Sequence, residues 1–217
     1  MRESRKSIRL FENDLLERLS HVHPITPLIV WVPVVLYFAY RSFAQDELSL
    51  GQFLGMGAIG FFFWTLTEYC LHRYIFHFQG KSALSQRLHF IIHGNHHADP
   101  QDPTRLVMPP VAGVILAVIL YSIFRLALGT VWVDPFFAFF LVGYLCYDYI
   151  HYGVHHFNPR SKIGRRIKQS HMLHHFQSHD LHWGVSSPIW DHVFGTASEP
   201  KSPGRRLHER QPENSAL

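Results

Sequence analysis

Four runs of apolar residues, each near the length of a bilayer crossing, constrain this chain more than any other feature of its sequence. They cover about residues 27–43, 48–69, 106–128 and 135–150. A crossing needs roughly 20 residues, so the first and last are short but sufficient in kind. The second carries Gly51, Gly55, Gly57 and Gly60, a spacing that lets a neighbouring helix approach closely. Only 17% of the residues are charged, which argues against disorder and against an ordinary water-facing surface. The mean hydropathy of −0.01 is polar for a membrane protein, and the 18 histidines account for it. Two cysteines, Cys70 and Cys146, both in apolar surroundings, make no disulfide framework. The pI near 9.2 does not imply nucleic acid here, because the apolar runs point to lipid.

The links between the runs are of two lengths. A few residues around Gln45-Asp46-Glu47 join the first pair, and Gly129 to Asp134 join the second. Short links make each pair an antiparallel helical hairpin, and Asp134-Pro135 reads as an N-cap with proline at the first helical position. The N-terminus, residues 70–105 and the last third of the chain then share one face. Eighteen of the 20 Lys and Arg residues fall on that face, leaving only Arg41 and Arg125 for the other. The positive-inside rule makes it the cytoplasmic one, in a bacterial inner membrane or the endoplasmic reticulum. Every histidine falls there too.

Ahead of the first run, Ile8, Phe11, Leu15, Leu19 and Val22 recur at helical spacing. They predict that residues 1–23 form an amphipathic helix on the membrane surface. Residues 198–217 are poor in apolar side chains and read as a mobile tail. The basic run Arg165-Arg166-Ile167-Lys168 suits anionic headgroups or a solvated helix face equally.

Ten histidines stand at ligand spacing. His72 and His77 are five apart, His151 and His155 four apart, and two HxxHH motifs supply His93, His96, His97 and His171, His174, His175. Residues three and four apart share a helix face, so each HxxHH presents three imidazoles from one stripe. A lone HxxxH is a weak signal, and His72 and His77 converge only where the helix ends or bulges. Two HxxHH motifs and two pairs on one membrane face are a strong one. Such a set can surround two metal ions, and neutral imidazole suits iron, zinc and copper. Within HxxHH the first and last histidines chelate one ion and the middle one reaches its neighbour. That sorts His72, His77, His93, His97 and His174 to one metal and His96, His151, His155, His171 and His175 to the other. Glu68, four residues before His72, and Asp148, three before His151, stand where a carboxylate could orient a ligand's second nitrogen. Trp190 and Asp191 read as braces.

The stretches LHFIIHGNHHADPQDPTRLVMPP (88–110), GYLCYDYIHYGVHHFNP (143–159) and HMLHHFQSHDLHWGVSSPIWDHVFGT (171–196) resemble the fatty acid hydroxylase/sterol desaturase superfamily, and within it the fatty acid 2-hydroxylases. The resemblance covers about residues 60 to 197. It implies an all-α membrane protein with four transmembrane helices in two hairpins. Residues 24–197 would form the hydroxylase domain, with residues 70–105 and 151–197 making a cytosolic helical cap. That cap would hold a dinuclear, all-histidine centre, with the ten histidines above at the family's ligand positions. His156, His179 and His182 fall outside that set. The resemblance further implies two metal ions, with Fe2+ expected for activity and Zn2+ a possible occupant. The substrates would be a lipid and O2, and the product a hydroxyl at C2 of an acyl chain, free or in a sphingolipid-type lipid. The 23 residues before the first run are too few for an electron-carrier domain, so a separate donor of cytochrome b5 or ferredoxin type is expected. Oxidation of a sterol or carotenoid is the alternative within the superfamily. A zinc-binding membrane protein without redox chemistry is the alternative outside it.

Overall fold

The computed structural model describes residues 7–197, so the C-terminal tail lies outside the described residues. Their regular elements are helical: α1 (Asp14–Leu19), α2 (Thr26–Ala44), α3 (Leu50–Cys70), α4 (Ala83–His89), α5 (Asn95–Ala98), α6 (Pro110–His156), α7 (Lys162–Phe176) and α8 (Ile189–Val193). Two π-helical turns, Leu71–Phe76 and Phe90–Gly94, continue α3 and join α4 to α5. Three stretches are long and apolar enough to cross a membrane: Thr26–Ala44, Leu50–Phe76 and Pro110–His156. With them the chain is an integral membrane protein.

Local chemistry sets where these helices begin. Ser49 and Gln52 form a reciprocal capping box at the start of α3, satisfying two otherwise orphaned backbone donors. The third apolar run becomes helical only at Pro110, later than its apolar residues suggest. Proline disfavours helical backbone in the residue before it, and Pro109 is extended at ψ 134°, while Pro110 itself suits the first helical position.

Gly129 interrupts α6 at φ 76° and ψ 178°, a conformation essentially confined to glycine. The rings of Phe124 and Phe140 are 5.1 Å apart, although a straight helix would separate them by roughly 24 Å. The chain therefore doubles back at Gly129. The expected helix start at Asp134-Pro135 is corrected accordingly: α6 resumes right after Gly129, and Pro135 lies inside it. Asp134 is not free to cap, because its carboxylate accepts from the Tyr121 hydroxyl at 3.0 Å and pairs with Arg41 at 3.1 Å.

The core is aromatic. Trp31, Phe38, Trp64, Phe124, Phe136, Phe137, Phe140 and Tyr144 pack as one buried cluster where α2 and α3 meet both halves of α6. Trp64 sits edge-on to Phe140 and Tyr144 at 5.1 and 5.3 Å, the geometry that aromatic quadrupoles favour. At Gly60 the backbones of α3 and α6 nearly touch, and a Cβ there would lie 2.0 Å from the Phe136 carbonyl oxygen. The glycines of α3 thus include a true contact position.

The N-terminal segment differs from the long amphipathic helix its spacing predicts. Residues 1–6 lie outside the described residues, and among residues 7–23 only Asp14–Leu19 is helical. Glu17 reaches back to the backbone N–H groups of Leu10 and Phe11 at 2.8 and 3.0 Å, and Leu10 and Val22 are buried. Arg105 binds Glu17 at 2.6 Å and Ser20 at 2.9 Å, and the Val22 N–H donates to the Thr104 carbonyl. These bonds tie the segment to the 102–105 loop, and that tie shapes it more than periodicity does. Leu15, Leu16 and Leu19 stay exposed.

Candidate metal centre

Each of the ten histidines lies on or at the end of a helical element. A regular helix would turn His72 and His77 about 140° apart. The π-helical turn between them, closed by the His77 N–H on the His72 carbonyl, brings both rings inward. The second π-helical turn does the same for His93, just ahead of His96 and His97 on α5. The end of α6 contributes His151 and His155, and α7 contributes His171, His174 and His175.

The ten rings gather into two groups, His72, His77, His93, His97, His174 and His96, His151, His155, His171, His175. This is the membership that the i, i+4 argument gives. In both groups the Nε2 atoms converge. Those of His72 and His97 lie 3.2 and 3.0 Å from that of His93, and those of His77 and His174 are 3.1 Å apart. In the second group His151–His96, His155–His171 and His175–His171 stand at 3.0, 2.8 and 3.1 Å. Nitrogens bound about 2.0–2.1 Å from one ion in tetrahedral or octahedral geometry are spaced roughly 2.9–3.4 Å apart. The convergence therefore fits a cation at each focus far better than it fits hydrogen bonds, since neutral imidazole carries one proton and these atoms crowd around shared points.

Electrostatics agree. Burial, reinforced by neighbouring imidazoles, pushes His77 down to about 3 and His97 to about 2. Burial also lowers His174 to about 4, although its bond to the Leu181 carbonyl opposes the shift. His93, His96, His171 and His175 are lowered for the same reasons as His77. Neutral imidazole is the metal-binding form, so the cap holds its histidines ready at neutral pH.

The second nitrogens reveal partners that sequence reasoning missed. His72 Nδ1 donates to the Trp183 carbonyl at 2.6 Å and His174 Nδ1 to the Leu181 carbonyl at 2.8 Å. Glu68 does not reach His72. Its carboxylate accepts from the N–H groups of Val185 and Ser186, both at 2.7 Å, and from the Ser186 hydroxyl. Asp191, fully buried, takes the N–H groups of Trp183 and Gly184 at 2.8 and 2.9 Å. The two acids clamp the loop whose carbonyls aim the histidines, so Glu68 acts on His72 indirectly. Asp148 is buried beside Tyr144 and makes no bond to His151, whose Nδ1 is without a partner among the described residues, as is Asp148 Oδ2. Trp190 braces the cap through Thr65 at 2.9 Å. His156 packs on Tyr152, His179 is exposed 5.3 Å from the His97 ring, and His182 meets Ser170 at 3.1 Å. None of the three joins either focus.

Comparison with known proteins gives this geometry a context. Residues 57–196 match the family described as fatty acid hydroxylase. Dihydroceramide fatty acyl 2-hydroxylase FAH2 of Arabidopsis thaliana is 37% identical over 198 residues, covering 91% of this chain and 83% of that protein. Fatty acid 2-hydroxylase of Rattus norvegicus is 35% identical, covering 88% of this chain and 57% of its own length. Ceramide very long chain fatty acid hydroxylase SCS7 of Saccharomyces cerevisiae is 39% identical, covering 91% and 51%. The chain thus spans about half the length of the rat and yeast proteins. A solved structure described as full length scs7p, with only the hydroxylase domain visible, superposes with a TM-score of 0.82 at 37% identity. It matches 89% of this chain and 73% of that one.

Proposed function

We infer the following from a chain that belongs to the fatty acid hydroxylase family: it is an oxidoreductase that hydroxylates C2 of a membrane lipid's acyl chain with O2. One observation carries the reading most directly. Both histidine groups are built at the ends of apolar helices, with His72 in the Leu50–Phe76 span and His151 and His155 in the Pro110–His156 span. A lipid with its tail among those helices and its head at the interface offers its first carbons, not its mid-chain, to the site.

The ten histidines would hold two metal ions, with iron the expected pair for activity and zinc a possible occupant. Iron, when bound, supplies the oxygen chemistry that attacks an unactivated C–H bond. The chain's own part is placement. The Trp183 and Leu181 carbonyls fix the ring orientation of His72 and His174, and Glu68 and Asp191 hold the loop that carries them. Burial keeps His77, His97 and His174 neutral, and the enclosed second group keeps bulk water from its focus. Glu68 acts as a positioning residue, through the Val185–Ser186 backbone that it holds, rather than as a group that touches substrate. Two electrons and two protons complete the balance, one oxygen atom leaving as water, and a separate carrier of cytochrome b5 or ferredoxin type supplies the electrons.

The doubling back at Gly129 makes four crossings the reading that suits α6, with α2 and α3 as one hairpin and the halves of α6 as the other. Residues 24–197 form the working domain. Both termini and the site face the cytoplasm, as the charge asymmetry demands. Cysteine labelling at Ser85 and at Gln45 should then report opposite sides.

The test of function is product analysis by mass spectrometry after reconstitution with lipid, iron and a reduced carrier. A 2-hydroxyacyl product is expected. A mid-chain alcohol, a double bond or an oxidised sterol would overturn the C2 assignment, and turnover without oxygen consumption would remove the oxidase class altogether.

A further inference from the structure

α7 has two opposite faces, and only one of them serves the metal centre. Its inward face carries His171, His174 and His175, which meet His155 at the end of α6 and His77 after α3. At 100° per residue, Lys162, Arg165, Arg166 and Gln169 fall on the opposite side, spaced i, i+3, i+4 and i+7. All four are exposed, and Phe176, 67% exposed, ends the same face. No acidic residue occurs between Asp148 and Asp180. Lys162, Arg165 and Arg166 make no ion pair among the described residues. The nearby Lys168 is different: it is bound to the Phe157 carbonyl and Asn158, closing the end of α6.

The histidine face is turned toward the ends of the membrane-spanning helices. The basic face consequently points away from the spans, into water, which favours a soluble partner over a lipid surface. Only the helix itself, about 10–12 Å across with its side chains, separates that face from rings that line the two foci.

We propose that the Lys162–Arg165–Arg166–Gln169 face of α7, ending on Phe176, is the docking surface for a small acidic one-electron carrier protein. The proposal rests on the hydroxylase reading, which requires two external electrons for each O2, delivered one at a time as the carrier is oxidised. Unpaired cations along a helix face that ends on an exposed aromatic ring match an acidic partner with an apolar contact at one end, and charges of this kind act mainly on encounter rate and salt dependence.

The experiment measures binding, so that it stands apart from catalysis. The metal-loaded protein in neutral phosphatidylcholine nanodiscs is titrated calorimetrically with the soluble domain of cytochrome b5 and with a [2Fe–2S] ferredoxin, both acidic. Saturable binding of at least one carrier is expected, weakening steeply with salt. The triple variant Lys162→Glu, Arg165→Glu, Arg166→Glu should weaken it about tenfold or more, with metal content and melting temperature unchanged. Lys81→Glu, a single reversal of the same kind on an exposed cap residue outside α7, should leave binding within about twofold, whereas Arg165→Glu alone should exceed that. Absence of binding to either carrier, equal weakening by Lys81→Glu, or an effect of the triple variant confined to nanodiscs with anionic lipid would each overturn the proposal. Salt-sensitive binding in a protein that yields no 2-hydroxy product would count against the hydroxylase reading and leave the docking surface standing.

Discussion

The two histidine groups share a chemistry and differ in how they are held. In the first, His77 and His97 are half-buried, and His72 and His174 are steered by carbonyls of the 181–183 loop. In the second, all five rings are buried, and the Nδ1 atoms of His151, His155, His171 and His175 have no partner among the described residues. One group owes its geometry to a loop clamped by two buried acids, the other to enclosure between the end of α6 and α7. A site held by a loop is tunable and open to exchange. A site held by packing is slow to open and intolerant of change, because a buried ring cannot move without moving its neighbours.

Removing one ligand from each group, as in His97→Ala with His175→Ala, is the most severe way to break the comparison. Metal content, about two per chain in the parent, should fall toward zero by elemental analysis. Full retention would show that the foci are not the metal sites. Acid should act next in size. Unfolded imidazole titrates near 6.5, whereas His174, His77 and His97 are held near 4, 3 and 2. Between those values the unfolded chain binds more protons, so stability is complete above about pH 6.5 and declines as pH falls through that window. Melting curves of the metal-free protein from pH 8 to 4 check the sign, and a flat profile would contradict it.

Glu68→Ala separates the two modes of support. Freeing the 185–186 end of the loop should weaken metal at the first group by roughly 10–100-fold, the usual range for losing a group that orients a ligand, and spare the second. Equal loss from both would mean the groups fold as one unit. Competition with a chelator should remove one ion faster than the other by about tenfold, a factor set by the 10–100-fold scale of such supporting contacts. The faster ion should belong to the His77 and His97 side, identified by which variant abolishes the fast phase. His179→Ala should have the smallest effect, within about twofold in metal affinity on the same scale, because that exposed ring lies beside the first group without joining it.

Much of this was legible in the sequence, for reasons that can be named. Imidazole spacing along a helix is a geometric statement, so HGNHH and HMLHH divide their six rings between the two groups, and the 72/77 and 151/155 pairs supply the other four. The apolar runs gave the spanning helices, though Asp134-Pro135 misled as a helix start because its carboxylate is committed to Arg41 and Tyr121 across the fold. What stayed hidden was the brace on the first group. Its acceptors are the Leu181 and Trp183 carbonyls, and a backbone carbonyl leaves no mark on residue identity. Glu68 drew notice as an acid beside an apolar run, but spacing to His72 suggested a direct bond where the structure uses a loop in between. The short extent of α1 was equally out of reach, since Arg105, 88 residues away from Glu17, decides it.

The two π-helical turns also say something about how this protein can vary over time. Each turn fits one more residue between its bonded ends than an α-helical turn does, so the cap depends on segment length as much as on residue type. Deleting one residue between His72 and His77 would leave the two rings four apart, the spacing at which an ordinary helix already puts them on one face, so the pair would still converge once the π-helical turn relaxed; adding one instead, to six, would put them about 120° apart on an α-helix. The tolerance to length is therefore one-sided at this turn: a residue can be lost together with the π-helical bond, but not gained. In homologues that work by the same chemistry, the second histidine of this pair should stand five residues after the first where the helix carries a π-helical turn, four where it does not, and not six.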